Sequence, residues 1–492
     1  MAAPILSPVP SPARRSARVR AVQLCGLALL LPACAGGSES SVDKLPVEEG
    51  EDSGATDGGG AEGGADGATD GGADGTTDGG ADTGADGGSD SGAPPAPCAA
   101  PEGGLWPLAP EGALLDQGRP VDGLRPPCAA AVHAGAGAAG SRVSVQLQEA
   151  EAAHWVRAVG LDGAELLAPT RMTPGMAISV PLTQSGEFFV ELHPTEAERP
   201  DAPPSAYRLG LECADSCAEY TRYPIFFMHG MAGTDTFVGV LDYWFGVQDE
   251  LSAVGFLSFT PAVDALAGVE PRADQWLAHL DALTAEGRAR RVNIIAHSQG
   301  GVDARLLTSA LDVEGRIASL TTVATPHRGA ALADLTSGVL DLGPFDGALV
   351  DAALEGLTGL IGLDGPSLSA QMRDLRRDRM EEFNAEVLDR PGVLYFSWSA
   401  KSCSWLDFGC QRDNNGEIIE GAFEATLAIV NLTEGDNDGV VGAESAIWGT
   451  HLGQLTADHL DEIGQIADLR NRSFDHRAFY LSEARRLAAL GL

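Results

Sequence analysis

Two hydrophobic rhythms divide the chain. Between residues 98 and 218, short runs alternate apolar and polar positions, most clearly in Val143-Ser144-Val145-Gln146-Leu147. Trp155–Val159, Ala177–Leu182, Glu187–Leu192 and Tyr207–Leu211 read likewise. Alternation sends every second side chain to one face, as in a half-buried strand. Gly, Pro and Asp punctuate these runs at short intervals, which predicts a small all-β sandwich over 98–218. From 220 to 492 the apolar runs become continuous and alternate with helix-like stretches. Ile225-Phe226-Phe227-Met228, Ser258-Phe259, Val292–Ala296, Leu320–Ala324 and Val393–Ser399 predict buried strands. Between them, Trp276, Leu277, Leu280 and Leu283 share one helical face. Strands alternating with helices predict an α/β sheet covered on both sides, with chemistry at the carboxyl ends of its strands.

The N-terminal region follows neither rhythm. Arg14, Arg15, Arg18 and Arg20 precede an apolar stretch, Ala21 to Leu31, too short to span a bilayer. This predicts a signal peptide over 1–33 and export to the cell envelope or beyond. Arg14-Arg15 also permits a twin-arginine reading. Leu31-Pro32-Ala33-Cys34 is similar to a bacterial lipobox, which would make Cys34 the lipidated first residue and a membrane anchor. Pro32 departs from that pattern, so ordinary signal-peptidase cleavage stays open. Residues 35–97 are Asp/Gly-rich, with fifteen acids from Glu39 to Asp90 against Lys44 alone. A segment with so little to bury reads as a disordered, charge-extended linker. A calcium-binding β-helix repeat is disfavoured because each turn would lack its apolar residue. The net charge of −38 excludes nucleic acid as a natural partner.

Cysteine usage agrees with export. Beyond Cys25 and Cys34, six remain, which suggests three disulfides. Sequence proximity pairs Cys213 with Cys217 and Cys403 with Cys410, leaving Cys98 and Cys128. Zinc is the weaker reading, since no histidine stands at ligand spacing beside either close pair.

The candidate chemistry centres on Ile295-Ala296-His297-Ser298-Gln299-Gly300-Gly301. An apolar run leads in, small residues flank the serine, and Val302–Leu307 is helix-compatible. Strand, tight turn and helix are what a nucleophile elbow requires. A serine esterase also needs a base and an acid that orients it, in the chain order Ser, acid, His. Four histidines follow Ser298, namely His327, His451, His459 and His476, and position alone does not choose among them. Asp436 and Asp438 compete for the acid.

Five ordered motifs resemble the secreted triacylglycerol lipases of the Pseudomonas and Burkholderia type. They are Tyr223-Pro224-Ile225 with His229-Gly230-Met231, the elbow, Thr325-Pro326-His327-Arg328-Gly329, Asn437-Asp438-Gly439-Val440-Val441, and His459-Leu460-Asp461-Glu462-Ile463-Gly464-Gln465. The resemblance covers about 220–492 and implies an α/β-hydrolase fold with Ser298, Asp438 and His459 as the triad. It implies Met231 and Gln299 as backbone oxyanion donors, with His229 a loop-shaping histidine. It further implies a structural calcium ion held by Asp461, Gln465 and the Leu469 carbonyl. For the upstream ligand Glu420 is the nearest counterpart, with Glu417 and Asp413 as rivals. The family's disulfide at the acid loop is missing, since Glu444 and Ser445 occupy that region. Some such lipases need a folding chaperone, which the resemblance admits as a partner. Residues 98–217 resemble, more loosely, the pre-peptidase C-terminal type of β-sandwich.

Between 330 and 366, Leu349, Ala353, Leu357 and Leu360–Ile361 fall on one helical face. Beside such a site this suggests a lid over an acyl pocket, against an ordinary packed cap helix. The functional expectation is an exported ester hydrolase acting on lipid at an interface. The alternatives are a short-chain esterase, a polyester depolymerase, and a tethered binding protein with an inert hydrolase domain.

Overall fold

The computed structural model describes residues 96–98, 105–233, 236–237, 241–340, 347–361, 369–370, 372–465 and 474–492. The expected leader 1–33, Cys34 and the acidic linker as far as residue 95 lie outside the described residues.

Eight strands come first: β1 (Val121–Arg125), β2 (Ala131–Gly137), β3 (Arg142–Ala150), β4 (His154–Gly160), β5 (Glu165–Met172), β6 (Met176–Pro181), β7 (Gly186–Pro194) and β8 (Ser205–Cys213). They form two four-stranded antiparallel sheets, ordered β1-β8-β3-β6 and β2-β7-β4-β5. The alternation in β3 does what it predicts: Val143, Val145 and Leu147 are fully buried and pack with Val156, Val190, Leu192 and Leu209 between the sheets. Strand β2 has no such signal. Its Ala-Val-His-Ala-Gly-Ala-Gly is buried throughout because large neighbours fill the space its small side chains leave. A Cβ on Gly135 would stand 2.8 Å from the Phe188 ring. Disulfides join Cys98 to Cys128, Cys213 to Cys217 and Cys403 to Cys410.

A charged seam ties this sandwich to the C-terminal half of the chain. Buried Glu187 accepts from Arg290 at 2.9 Å and from Arg222 at 2.8 Å, and Glu111 also pairs with Arg290. Burying Glu187 carries a desolvation cost that its two arginines offset, so removing them would leave an uncompensated buried charge.

The second part is built on a sheet of β9 (Ile225–Met228), β12 (Ser258–Phe259), β13 (Val292–His297), β14 (Ile317–Val323), β15 (Leu394–Lys401) and β16 (Thr450–Thr456), in spatial order β12-β9-β13-β14-β15-β16. Every pairing is parallel. Strands β10 (Thr236–Phe237) and β11 (Leu241–Asp242) form a small antiparallel pair outside it. The helices are α1 (Val247–Val254), α2 (Val269–Ala285), α3 (Gln299–Leu306), α4 (Ala331–Thr336), α5 (Gly347–Ile361), α6 (Arg377–Glu386), α7 (Phe408–Asp413), α8 (Glu424–Glu434) and α9 (His476–Ala489). Two apolar clusters, around Phe227 and Val302 and around Phe226 and Trp276, contain alternate residues of the same strand. That is why these strands read as unbroken apolar runs. The fold is an α/β-hydrolase.

The strand order reverses at β9, whose chain steps outward to β12 and returns to β13 on its other side. Parallel sheets open a crevice at such a switch point, outside the carboxyl ends of the strands. Here the loop after β9 and the turn after β13 meet, which brings Met231 and Ser298 to one place. The expected 330–366 insert contains α4 and α5. Ala353 and Leu357 of α5 are buried, and Leu349 is half-buried against the same core. The side chains of Leu360 and Ile361 and all of 341–346 and 362–368 lie outside the described residues.

Candidate active site

Ser298 stands between the last residue of β13 and the first of α3 with φ 54° and ψ −132°. An L-residue held there stores roughly 1–3 kcal/mol of strain. Close packing enforces the turn. A Cβ on Gly300 would fall 2.5 Å from the Met228 carbonyl, and one on Gly301 would overlap the Thr325 hydroxyl. Thr325 in turn donates to the Ser298 carbonyl at 2.9 Å. The hydroxyl therefore projects from a rigid corner at a helix N-terminus.

His459 Nε2 lies 3.0 Å from Ser298 Oγ, and His459 Nδ1 lies 2.8 Å from Asp438 Oδ2. The other Asp438 oxygen accepts from the Val440 and Val441 N–H groups at 2.8 and 2.7 Å. Those donors fix the carboxylate in place. The rival residues are elsewhere. Asp436 is exposed and pairs with Lys401 at 2.9 Å. His451 is exposed against Ser399, buried His327 meets Thr322, and buried His476 meets the Phe245 carbonyl. Of the four, His459 is the one the structure sets within hydrogen-bond reach of Ser298.

The loop after β9 packs on the serine at Gly230, where a Cβ would stand 2.7 Å from Ser298 Cβ. Arg272 of α2 holds this loop from behind, donating to the His229 carbonyl at 2.5 Å and the Gly230 carbonyl at 3.3 Å. A trans peptide is planar, so drawing the Gly230 carbonyl toward Arg272 turns the Met231 N–H the opposite way. Arg272 is fully buried and ion-paired to fully buried Asp303 at 2.7 Å. Burial raises Asp303 to about 6, offset by the guanidinium. The sequence reading passed over Arg272; the signal that would have found it is a charge on the apolar stripe of α2, four residues before Trp276. His229 is a hydrogen-bonded loop histidine. Its Nδ1 donates to the Gly230 carbonyl at 2.9 Å and its Nε2 accepts from Val263 at 3.1 Å. Burial, then the charge of Arg272, lowers it to about 3, so it stays neutral.

Met231, Leu357, Met372, Leu375, Phe423 and Ile463 enclose an apolar cavity that ends on Ser298 and His459. Gln299 is buried behind the serine, its side chain on the Ala267 carbonyl.

No family model matches the chain. A triacylglycerol lipase of Pseudomonas fragi is 32% identical over 308 residues, which span 55% of this chain and 98% of that protein. One from Burkholderia plantarii is 29% identical over 293 residues, 51% of this chain and 81% of that protein. The chain belongs to the triacylglycerol lipase family. It is a carboxylic ester hydrolase. The crystal structure of Staphylococcus hyicus lipase covers 55% of this chain and 96% of its own at 18% identity, with a TM-score of 0.40.

The enzyme carries a second layer behind Ser298, His459 and Asp438 that the sequence did not announce. Fully buried Glu462 lies 2.8 Å from His297 Nε2 and 3.9 Å from His459 Nδ1. His297 Nδ1 accepts from the Tyr243 hydroxyl at 2.8 Å, and that oxygen accepts from the Gly230 N–H at 2.9 Å. Burial, then the charge of Asp438, holds Glu462 well above the usual carboxylate range, and burial holds His297 well below its own. Both are neutral, so the layer adds no second charge beside Asp438. Glu462 sits three residues after His459 on a single 3-10 turn, which is the signal that would have found it. Tyr243 has none, being remote from both in sequence.

The expected metal ligands do not assemble as predicted. Glu417, Asp458 and Asp461 bring carboxylate oxygens within 4.8 Å of one another. Glu417 thus takes the place expected of Glu420, which meets the group through its backbone, donating to Asp458 at 2.7 Å. The Gln465 amide nitrogen donates to the carbonyls of Asp242 and Tyr243. Asp413 is exposed and pairs with Arg412, and Leu469 lies outside the described residues. The reason for the exchange is burial. The chain after β15 turns inward at Glu417 (2% exposed), bonding Ser402, while Glu420 starts the 3-10 turn leading into α8. Burial and the neighbouring charges of Asp458 and Glu417 raise Asp461 to about 9. Three bunched carboxylates, Glu417 and Asp458 buried and Asp461 half-buried, are a hard-oxygen set that fits a cation such as calcium.

Proposed function

We propose that this chain is an exported serine hydrolase that cleaves acylglycerol esters through an acyl-enzyme on Ser298. The observation that carries the reading is the continuous relay from Ser298 Oγ through His459 to Asp438, at 3.0 and 2.8 Å, at the end of an apolar cavity. His459 Nε2 takes the hydroxyl proton as Ser298 Oγ attacks the ester carbonyl. The N–H groups of Met231 and Gln299 stabilise the resulting oxyanion. Protonated His459, oriented and compensated by Asp438, gives the proton to the departing alcohol oxygen. Water then repeats the sequence on the acyl-enzyme and frees the acid. The apolar walls suit an acyl chain, and α5, which contributes Leu357, suits a lid.

Calcium would be held by Glu417, Asp458 and Asp461, where it would neutralise their charge and pin the loop that carries His459. Export rests on the leader-like 1–33 and the disulfides, and anchoring on Cys34.

The test is an ester chain-length series below and above the solubility limit, run on wild type, Ser298→Ala and His459→Ala. Turnover is expected to fall by about 10⁴-fold or more in each folded variant. A steep gain above the solubility limit separates a lipase from a short-chain esterase. Near-wild-type turnover in either variant sinks the assignment.

A further inference from the structure

The disulfide loop that follows β15 exposes large apolar side chains that its own structure prevents from turning inward. Trp405 is 62% exposed, Leu406 72% and Phe408 76%. The Cys403–Cys410 bond closes the loop. Asp407 caps it from within, accepting from the Gly409 and Cys410 N–H groups at 3.1 and 2.9 Å. Ser404 bonds Glu424, which directly follows Phe423 of the cavity wall. Adjacent large apolar residues fixed in water mark an interaction surface.

Topology places this surface. The loop leaves the carboxyl end of β15, and Ser298 leaves the carboxyl end of β13 in the same parallel sheet, so both open on one face of the molecule. Charge selects the partner. Between Cys403 and Cys410 the only ionisable side chain is Asp407, and its carboxylate is already engaged. With no cation on the loop and a net charge of −38, an anionic bilayer is repelled. An uncharged apolar phase suits the loop, with tryptophan at its boundary.

We propose that Trp405, Leu406 and Phe408 form a fixed docking patch that inserts into the surface of a neutral acylglycerol phase and so presents the Ser298 cavity to it. The patch differs from the lid in needing no movement. The proposal rests on the reading that the substrate is a water-insoluble acyl ester.

The experiment uses the full chain in a Ser298→Ala background and flotation with triolein droplets, comparing the intact loop with Trp405→Ser/Leu406→Ser/Phe408→Ser. Droplet affinity should fall at least about tenfold in the triple variant. In the catalytically intact background, hydrolysis of a soluble short-chain ester should stay within about twofold. Should the triple variant misfold, the wild-type minus Trp405→Phe fluorescence difference gives a second reading, which should show quenching by brominated triacylglycerol. Undiminished droplet binding by a folded triple variant overturns the proposal, as does an unquenched Trp405. Loss of self-association with droplet binding unchanged would assign the patch to a second copy and also overturn it. A wild type that binds droplets through the patch but hydrolyses no ester would sink the functional reading and leave the patch standing.

Discussion

The carboxyl of Glu462 stands 2.8 Å from His297 Nε2 and 3.9 Å from His459 Nδ1, the nitrogen that faces Asp438. Two acids thus serve two histidines that are themselves in ring contact, with centroids 4.6 Å apart. Their environments separate them. Asp438 accepts two backbone N–H bonds, whereas Glu462 is held protonated by burial and by Asp438. Because Glu462 is neutral, Glu462→Gln should keep kcat on a soluble ester within about threefold at pH 7. Glu462→Ala should instead leave the His297 N–H without an acceptor and cost roughly 1–3 kcal/mol of stability. A hundredfold fall in kcat for Glu462→Gln would show that the group works as an anion.

Gly230→Ala tests the oxyanion loop. The new methyl would lie 2.7 Å from Ser298 Cβ and 3.1 Å from the His297 carbonyl, and neither can yield. The loop must retreat and carry the Met231 N–H with it. The expected result is a loss of about 10²-fold or more in kcat, the size of one oxyanion donor. A wild-type kcat in a folded Gly230→Ala enzyme would remove Met231 from the mechanism.

Calcium and Asp461 should act as one unit. Chelation should lower the wild-type Tm by roughly 5–10 °C relative to calcium at about 100-fold its Kd. Without calcium, burial and the neighbouring acids hold Asp461 protonated, and Asp461→Asn supplies a neutral group there without the cost of suppressing a charge. It should therefore match or exceed wild type in chelator while losing the response to calcium. A wild type whose melting curve ignores chelator would exclude the site.

His154 supplies the pH test in the sandwich. Burial, then the charge of Arg125, lowers it from 6.5 to about 4. A depressed histidine favours the folded state while neutral. Its contribution is complete above 6.5 and is lost as pH falls toward 4. Relative to His154→Leu, wild type should lose roughly 2 kcal/mol between pH 7.5 and pH 5, read from urea midpoints. A constant difference across that range would mean the histidine is not buried neutral.

The sequence settled whatever depends on local order. Alternation in Val143–Leu147 announced the sandwich, continuous runs such as Ile225–Met228 announced the parallel sheet, and small residues around Ser298 announced the strained turn, because each pattern reports the period or packing of its own segment. Tertiary structure decided what depends on convergence from separate elements. It set Asp438 and His459 in line with Ser298, a juxtaposition that chain position alone left open and that only the motif resemblance had pointed to. It moved the acidic cluster from Glu420 to Glu417 and Asp458, because burial at a strand-to-helix crossover sets which carboxylate turns inward. It brought Tyr243, Arg272 and Glu462 behind the site from three distant segments. A side chain's type is local, but its partners are fixed only once the sheet has brought the strand ends together.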